Sequence, residues 1–403
     1  MRPTRRAFLT AVGTASVAGL AGCSAVDESP YSPGTDGDSE WPMAGYEPGC
    51  SAYARDAAAP RDGVTVRWQT EIPTRPAARP VVAAGSVFVS TAAGLRAYDL
   101  SDGSRQWGLD DAGQSWPKAP VVHDGTVYLG RYDSNGPPLL ALDAADGTER
   151  WRVDLRGDVS APPVPAVYGD GDLNGLYVGD DTGRVYKIRP EDGSTEHHVD
   201  VFGAVTRLAY GRRLLIGTES GEVYAFYETN DRLQGLWRRK LGGKVTALVD
   251  GGGGPYVATF GGPLYRLADG AHAGRTDWTS ERGAIELAVT GQDVVGADAG
   301  SLGVHHYRTG DQRWQLDGGY GAAPAIAGDL LVAGGGDVGE NGSGFVSAYD
   351  LRPGPTDGLL GRARWTFETG DAIMEGITVA DGAVFAGTQG VDEPAKLYAL
   401  DPT

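Results

Sequence analysis

The residues best spaced for chemistry lie in Asp170-Gly171-Asp172-Leu173-Asn174-Gly175, with side-chain oxygens at the first, third and fifth positions and glycine at the sixth. That alternation begins a calcium loop of the EF-hand kind, where hard oxygen donors converge on one cation. The twelfth position is Asp181, shorter than the bidentate Glu such loops use. The flanking runs Val167-Tyr168 and Leu176-Tyr177 read as strands, not helices. Two readings therefore stand: calcium held by Asp170, Asp172, Asn174 and Asp181, or an acidic turn between strands. Other chemistry is sparse. His197-His198 and His305-His306 are adjacent pairs, and neighbouring side chains on a strand point to opposite faces. Gly251 to Gly254 lacks the lysine and following helix of a phosphate loop, and no Gly-x-Ser-x-Gly frames a nucleophile.

Modification chemistry is better marked. Arg5-Arg6-Ala7-Phe8-Leu9 follows the twin-arginine pattern of an export signal, and Ala7 to Gly22 is mildly apolar and too short for a membrane span. Leu20-Ala21-Gly22-Cys23 is similar to a lipobox, which makes residues 1–22 a Tat-type signal peptide and Cys23 the site of lipid attachment. Lipid there would anchor the chain at the extracytoplasmic face of the membrane without spanning it. Residues 23–40 read as a flexible acidic tether. Residues 41–62, with Trp41, Met43, Tyr46 and Tyr53, read as a segment packed on the domain that follows. Cys50 is the second of two cysteines, so the chain without its leader has no internal disulfide. An inert thiol and a reactive or intermolecular one are the two readings for it.

Composition bounds the partners. The chain has 403 residues, with 53 acidic and 35 basic side chains and a formal charge of −18. Loss of residues 1–22, which hold three Arg and no acid, would take that to −21. Such a surface repels phosphates, which excludes nucleic acid. With only 5 Lys among the bases and 37 Asp among the acids, the balance resembles that of proteins from salt-loving archaea.

What positions these residues is a repeat. Ala119-Pro120-Val121-Val122, Asp124-Gly125, Thr126 to Gly130, Leu140-Ala141-Leu142-Asp143, Asp146-Gly147 and Trp151 outline four short β-prone runs joined by turn residues. The pattern recurs along residues 63–403. The last copy ends at three strands, and Val64 to Gln69 is a lone strand carrying the missing Trp. Joined, they close a ring with no open edge. The expected fold is all-β, an eight-bladed β-propeller of four-stranded antiparallel blades, closed by pairing residues 64–69 with the C-terminal blade. Seven tryptophans recur once per blade: Trp68, Trp107, Trp151, Trp237, Trp278, Trp314 and Trp365. They read as packing between blades, with His197 in the skipped place. The glycine-rich insertion at residues 335–344, with residues 352–361, makes the seventh repeat the longest; it reads as a decorated binding face or a flexible loop.

Ala141-Leu142-Asp143…Gly147…Trp151 resembles the tryptophan-docking motif of the quinoprotein-type propeller family, and Tyr98-Asp99…Gly103…Trp107 is similar. The resemblance implies one of two activities. Some members are dehydrogenases of sugars or alcohols that hold pyrroloquinoline quinone and calcium at the ring centre. Others are lipid-anchored scaffolds, among them the accessory lipoprotein of outer-membrane protein assembly. The chain has no adjacent cysteine pair, and no active-site constellation can be matched residue by residue. The reading is thus a non-catalytic, monomeric scaffold without quinone, bound to an envelope protein or surface ligand. The dehydrogenase and recognition of a surface glycan are the alternatives.

Overall fold

The computed structural model describes residues 31–403 apart from 111–115, 133–135, 168–170, 230–231, 252, 337–342, 353–361 and 392–393. Arg5, Arg6, Cys23, Asp170 and most of the two seventh-repeat insertions lie outside the described residues.

Short β-prone runs punctuated by turn residues fold as eight antiparallel sheets arranged as a ring of blades. The innermost strands, in order, are Val81–Ala83, Val121–His123, Val164–Val167, Val205–Tyr210, Val245–Gly251, Glu286–Val289, Ala325–Ala327 and Ile373–Ala380. The ring closes as the sequence suggested. Val64–Glu71 forms the outer strand of the eighth blade, antiparallel to Lys396–Pro402, from Val64 opposite Pro402 to Glu71 opposite Lys396. Two connections add strands to the four-stranded unit. Tyr53–Ala54 runs parallel to Ile326 and Ala327 on the inner edge of the seventh blade, and Trp116–Pro117 pairs with Tyr132 and Arg131 in the second.

Local chemistry accounts for the hairpins. Asp124 and Gly125, between the first two strands of the second blade, have φ of +44° and +67°. That pair of positive values is the type I′ turn that matches the twist of tight hairpins. Turns between first and second, and between third and fourth, strands fall on one face of the ring. Connections between second and third strands, and from each blade to the next, fall on the other.

Each repeat tryptophan joins its blade to the next. Trp107 donates its indole N–H to the Ala144 carbonyl at 2.9 Å, and Trp68, Trp151, Trp278, Trp314 and Trp365 do the same to Leu100, Pro190, Tyr307, Leu351 and Pro60. The repeat glycine lies under the ring: a Cβ at Gly147 would stand 2.5 Å from Trp107, and Gly103, Gly193, Gly274 and Gly310 make the same close contact with Trp68, Trp151, Trp237 and Trp278. His197 occupies the skipped place on the outer strand of the third blade, half-buried. The apolar core is therefore a set of clusters lying largely between blades.

Candidate functional site

The segment around residues 41–54 does not lie on the outside of the propeller. It follows the ring from blade to blade at one end of the central channel and forms a floor there, bonded to the ends of the innermost strands. Trp41 exchanges two backbone bonds with Val82, at 2.7 and 3.0 Å, and the Pro42 carbonyl accepts from Val122. Pro48, Gly49, Ser51, Ala52 and Ala54 accept from Tyr210, Asp250, Val289, Ile326 and Gly328, and Ser39 accepts from Asp381. Among the described residues, seven of eight blades hold the segment this way; the third does not. The bend inside it is set by Glu47, whose carboxylate accepts the N–H groups of Gly49 at 2.6 Å and Ser51 at 2.9 Å. Tyr46, Cys50 and Ala52 take positive φ there, a strained state for side-chain-bearing residues that persists because the surrounding bonds over-determine it. Trp41 is fully buried, packed on Tyr46 at 5.1 Å with the Arg79 guanidinium over its ring at 5.1 Å.

Above the floor lies a cavity of about 220 Å³ with walls from all eight blades. The floor sits at the ends of the innermost strands, so the cavity faces the opposite side of the ring, hereafter the mouth face. Five acidic or basic side chains line it: Arg79, Lys118, Arg207, Glu286 and Glu375. Their formal sum is positive inside a chain of net −18. Arg79 is fixed from one side, its Nη2 donating to the Ala323 and Pro324 carbonyls at 2.9 and 2.8 Å. Its Nη1 is buried with no hydrogen-bond partner among the described residues. Arg207 lies 3.6 Å from Glu286 and donates to the Thr206 carbonyl. Lys118 stands over the Tyr132 ring at 5.2 Å, with no ion pair among the described residues.

Burial governs the titration of these groups. It pushes the Lys118 ammonium down to about 8, reinforced by Arg207 and Lys244 and opposed by Glu375. Burial likewise pushes Arg79 down to about 10 and raises Glu286, against the pull of Arg207 and Arg79. Glu375 is raised by burial and then by Glu286. The Cys50 thiol, in the floor and facing the Leu208 carbonyl at 3.4 Å, is raised by burial as well. It is therefore held as a thiol, a poor nucleophile. On the outer side of the floor, a groove of about 470 Å³ is bordered by Asp36, Asp38, Glu40 and Glu47. The floor thus separates a cation-rich cup from an acidic underside.

Of the candidate calcium residues, Asp170 lies outside the described residues, and Asp172, Asn174 and Asp181 are not brought together. Leu173–Gly179 is a strand that spans about 20 Å at the rise of an extended chain, and Asp172 precedes one end of it while Asp181 lies beyond the other. The Asn174 amide oxygen accepts the Lys187 ammonium at 2.8 Å, and Asp181 accepts the Asp158 N–H at 3.1 Å. An EF-hand loop needs those residues in a turn; alternating β-prone side chains drew them into a strand. Calcium with pyrroloquinoline quinone at the ring centre fares no better. Such a cation takes six to eight oxygens. In the cup the two carboxylates are outnumbered by cations and Glu286 faces Arg207, while no group of three His, Cys, Asp or Glu side chains among the described residues could hold a metal. The residues do not fit that pair. Sequence reasoning missed the cup because its ionisable groups come from five separate blades, and the floor because anchors such as Trp41 show burial without showing where.

The fold is that of a solved assembly-factor propeller. A family model described as outer membrane protein assembly factor BamB matches residues 57–135 and 111–230. BamB of Yersinia pestis is 28% identical over 62% of this chain and 67% of its own length. The serine/threonine-protein kinase AfsK of Streptomyces griseus is 29% identical over 54% of this chain, which spans 23% of that kinase. The crystal structure of BamB from Moraxella catarrhalis superposes with a TM-score of 0.62 at 18% identity, covering 84% of this chain and 97% of that one. Quinohemoprotein alcohol dehydrogenase from Comamonas testosteroni superposes with 0.65 at 13% identity, covering 90% and 80%. At those identities the structural likenesses establish the eight-bladed fold, and the sequence matches show a partial similarity to BamB.

Proposed function

We propose that this chain is a non-catalytic scaffold, tethered by lipid on Cys23 at the extracytoplasmic face of a membrane, which offers the mouth face of its propeller to a partner protein. The observation that carries the reading is the asymmetry of the ring. One face is occupied by the floor segment; the other carries exposed apolar side chains around an open cup. Phe202, on the connection from the third to the fourth blade, is 64% exposed, and Phe260, on a turn of the fifth, is 72% exposed. Val391 and Tyr132 stand on the same face, as does Trp116 with Arg75 over its ring at 5.0 Å. Aromatic and arginine side chains are the residue types that anchor protein interfaces.

Of the stretch 23–40 expected as a tether, the part from Tyr31 on is bonded to the domain. Tyr31 donates its hydroxyl to Asp293 at 2.8 Å and is bonded to Thr290, at the turn between the first two strands of the sixth blade. The chain thus enters on the floor side. From Tyr31 back to Cys23 an extended chain reaches at most about 28 Å. Lipid at Cys23 would tie the chain to the membrane through the residues that precede Tyr31. The few lysines and many aspartates support a habitat in concentrated salt.

A photo-crosslinking residue placed at Phe202 or Phe260 in the membrane-bound chain tests the reading. A discrete protein adduct is expected from both, and none from Asp146 on a floor-face turn. Adducts from Asp146 alone, or from no position, would refute it.

A further inference from the structure

We propose that the cup is a binding site for a carboxylate, received at Arg79 with Lys118 on the neighbouring wall. The inference goes beyond the scaffold reading and stands without a partner protein on the mouth face.

Three features single out this place. Arg79 is 5% exposed, and its guanidinium is already oriented by two carbonyls and the Trp41 ring, yet Nη1 remains unpartnered among the described residues. A buried donor of that strength without an acceptor is costly to maintain, and an incoming anion supplies the acceptor. Second, Lys118 keeps its ammonium in the same cavity without an ion pair among the described residues, although burial disfavours its charge. Third, the floor closes the channel beneath both groups, so a ligand entering from the mouth leaves bulk water.

The chemistry of the walls selects the anion. A guanidinium is planar and matches a carboxylate. Glu286 and Glu375 share the cavity, so a polyphosphate or other dense polyanion would meet two like charges. A cavity of about 220 Å³ admits a small acid or the last residues of a chain, not a folded element. The shared chemistry is the carboxylate; its source is either a free small acid or the C-terminus of a polypeptide.

Calorimetric titration of the full chain at fixed chloride, with succinate and with tetra-alanine bearing a free or an amidated C-terminus, tests this. Saturable one-to-one binding of succinate assigns the site to small acids. Binding of the free peptide but not of its amide assigns it to chain ends; either outcome supports the proposal. Lys118→Gln, at a side chain that makes no hydrogen bond among the described residues, is expected to weaken binding about tenfold to a hundredfold, the range for a charge-assisted contact. Glu375→Gln is expected to tighten it several-fold, and Asp146→Asn to leave it unchanged. Arg79→Gln should abolish binding, read only where its melting transition shows a folded ring. Absence of saturable binding for every carboxylate, or affinities indifferent to both Lys118→Gln and Glu375→Gln, would overturn the proposal.

Discussion

Replacing Lys118 by Met keeps the stem and removes the ammonium, and the structure sets the sign of the result. Burial lowers the Lys118 pKa from 10.5 to about 8. The unfolded chain therefore holds this proton at pH values where the folded chain has released it. Stability must rise with pH between about 8 and 10.5, and the penalty is present in full below about 8. At 1.36 kcal/mol per unit the shift corresponds to at most about 3 kcal/mol, and solvent at the cavity mouth reduces it to about 1–3 kcal/mol. Lys118→Met is thus expected to stabilise the propeller by that amount at pH 7, with the advantage fading as pH approaches 10.5. A chain of this size shifts its melting point by only about 1 °C per kcal/mol, so denaturant unfolding of both proteins at pH 7, 9 and 10.5 is the better assay. The difference between them isolates Lys118 from other groups that titrate in the same range. A variant no more stable than its parent at pH 7, or a difference independent of pH, would refute the reasoning. A group that destabilises the fold while charged, in a cavity with an unpartnered guanidinium, is what a binding site held at the expense of stability looks like.

Gly147→Ala should destabilise the ring by about 1–3 kcal/mol, because its Cβ would meet the Trp107 ring at 2.5 Å and its φ is +74°; a neutral result in denaturant unfolding would contradict inter-blade docking. Trp41→Ala should cost about 3–5 kcal/mol, as for other buried tryptophans, and should raise amide exchange at Val82 and Val122 above that of the fifth blade. Cys50 should resist a thiol reagent at pH 8 in the native chain and react at once in denaturant, since burial raises its pKa; fast native labelling would show that the floor opens.

The ring was legible in the sequence because its information is local and repeated. Asp124-Gly125 dictates a hairpin wherever it stands, and Trp107 with Gly147 states a contact between blades at a fixed spacing. The unpaired strand at Val64 announced the closure for a similar reason, since an unfinished blade demands a partner. The cup has no such signature. Arg79, Lys118, Arg207, Glu286 and Glu375 are single charged residues on five different blades, with no charge type kept from one repeat to the next, and only closure of the circle brings them into one cavity. The same limit explains the calcium expectation. Asp172, Asn174 and Asp181 have loop-like spacing, but β-prone Leu176-Tyr177-Val178 between them forms the second strand of its blade. Spacing suggests convergence only where the intervening chain can turn.

The floor gives these separate observations one consequence. An eight-bladed ring without it would be a tunnel open to water at both ends, and Arg79 would be solvated from the acidic side where Asp36, Asp38, Glu40 and Glu47 stand. By bonding to seven blades the segment keeps those carboxylates on its far side and desolvates the three cations on the near side. Salt then acts unequally on the two populations of charge. Exposed acids separated by more than the Debye length, about 3 Å at 1 M, are screened from one another, whereas charges inside the cup are screened much less. In concentrated salt the −18 exterior loses most of its long-range repulsion of an incoming anion, while the attraction at Arg79 and Lys118 persists. Carboxylate association should therefore quicken with ionic strength before competition from chloride reverses the trend. A neutral surface around the same cup would show the decline alone.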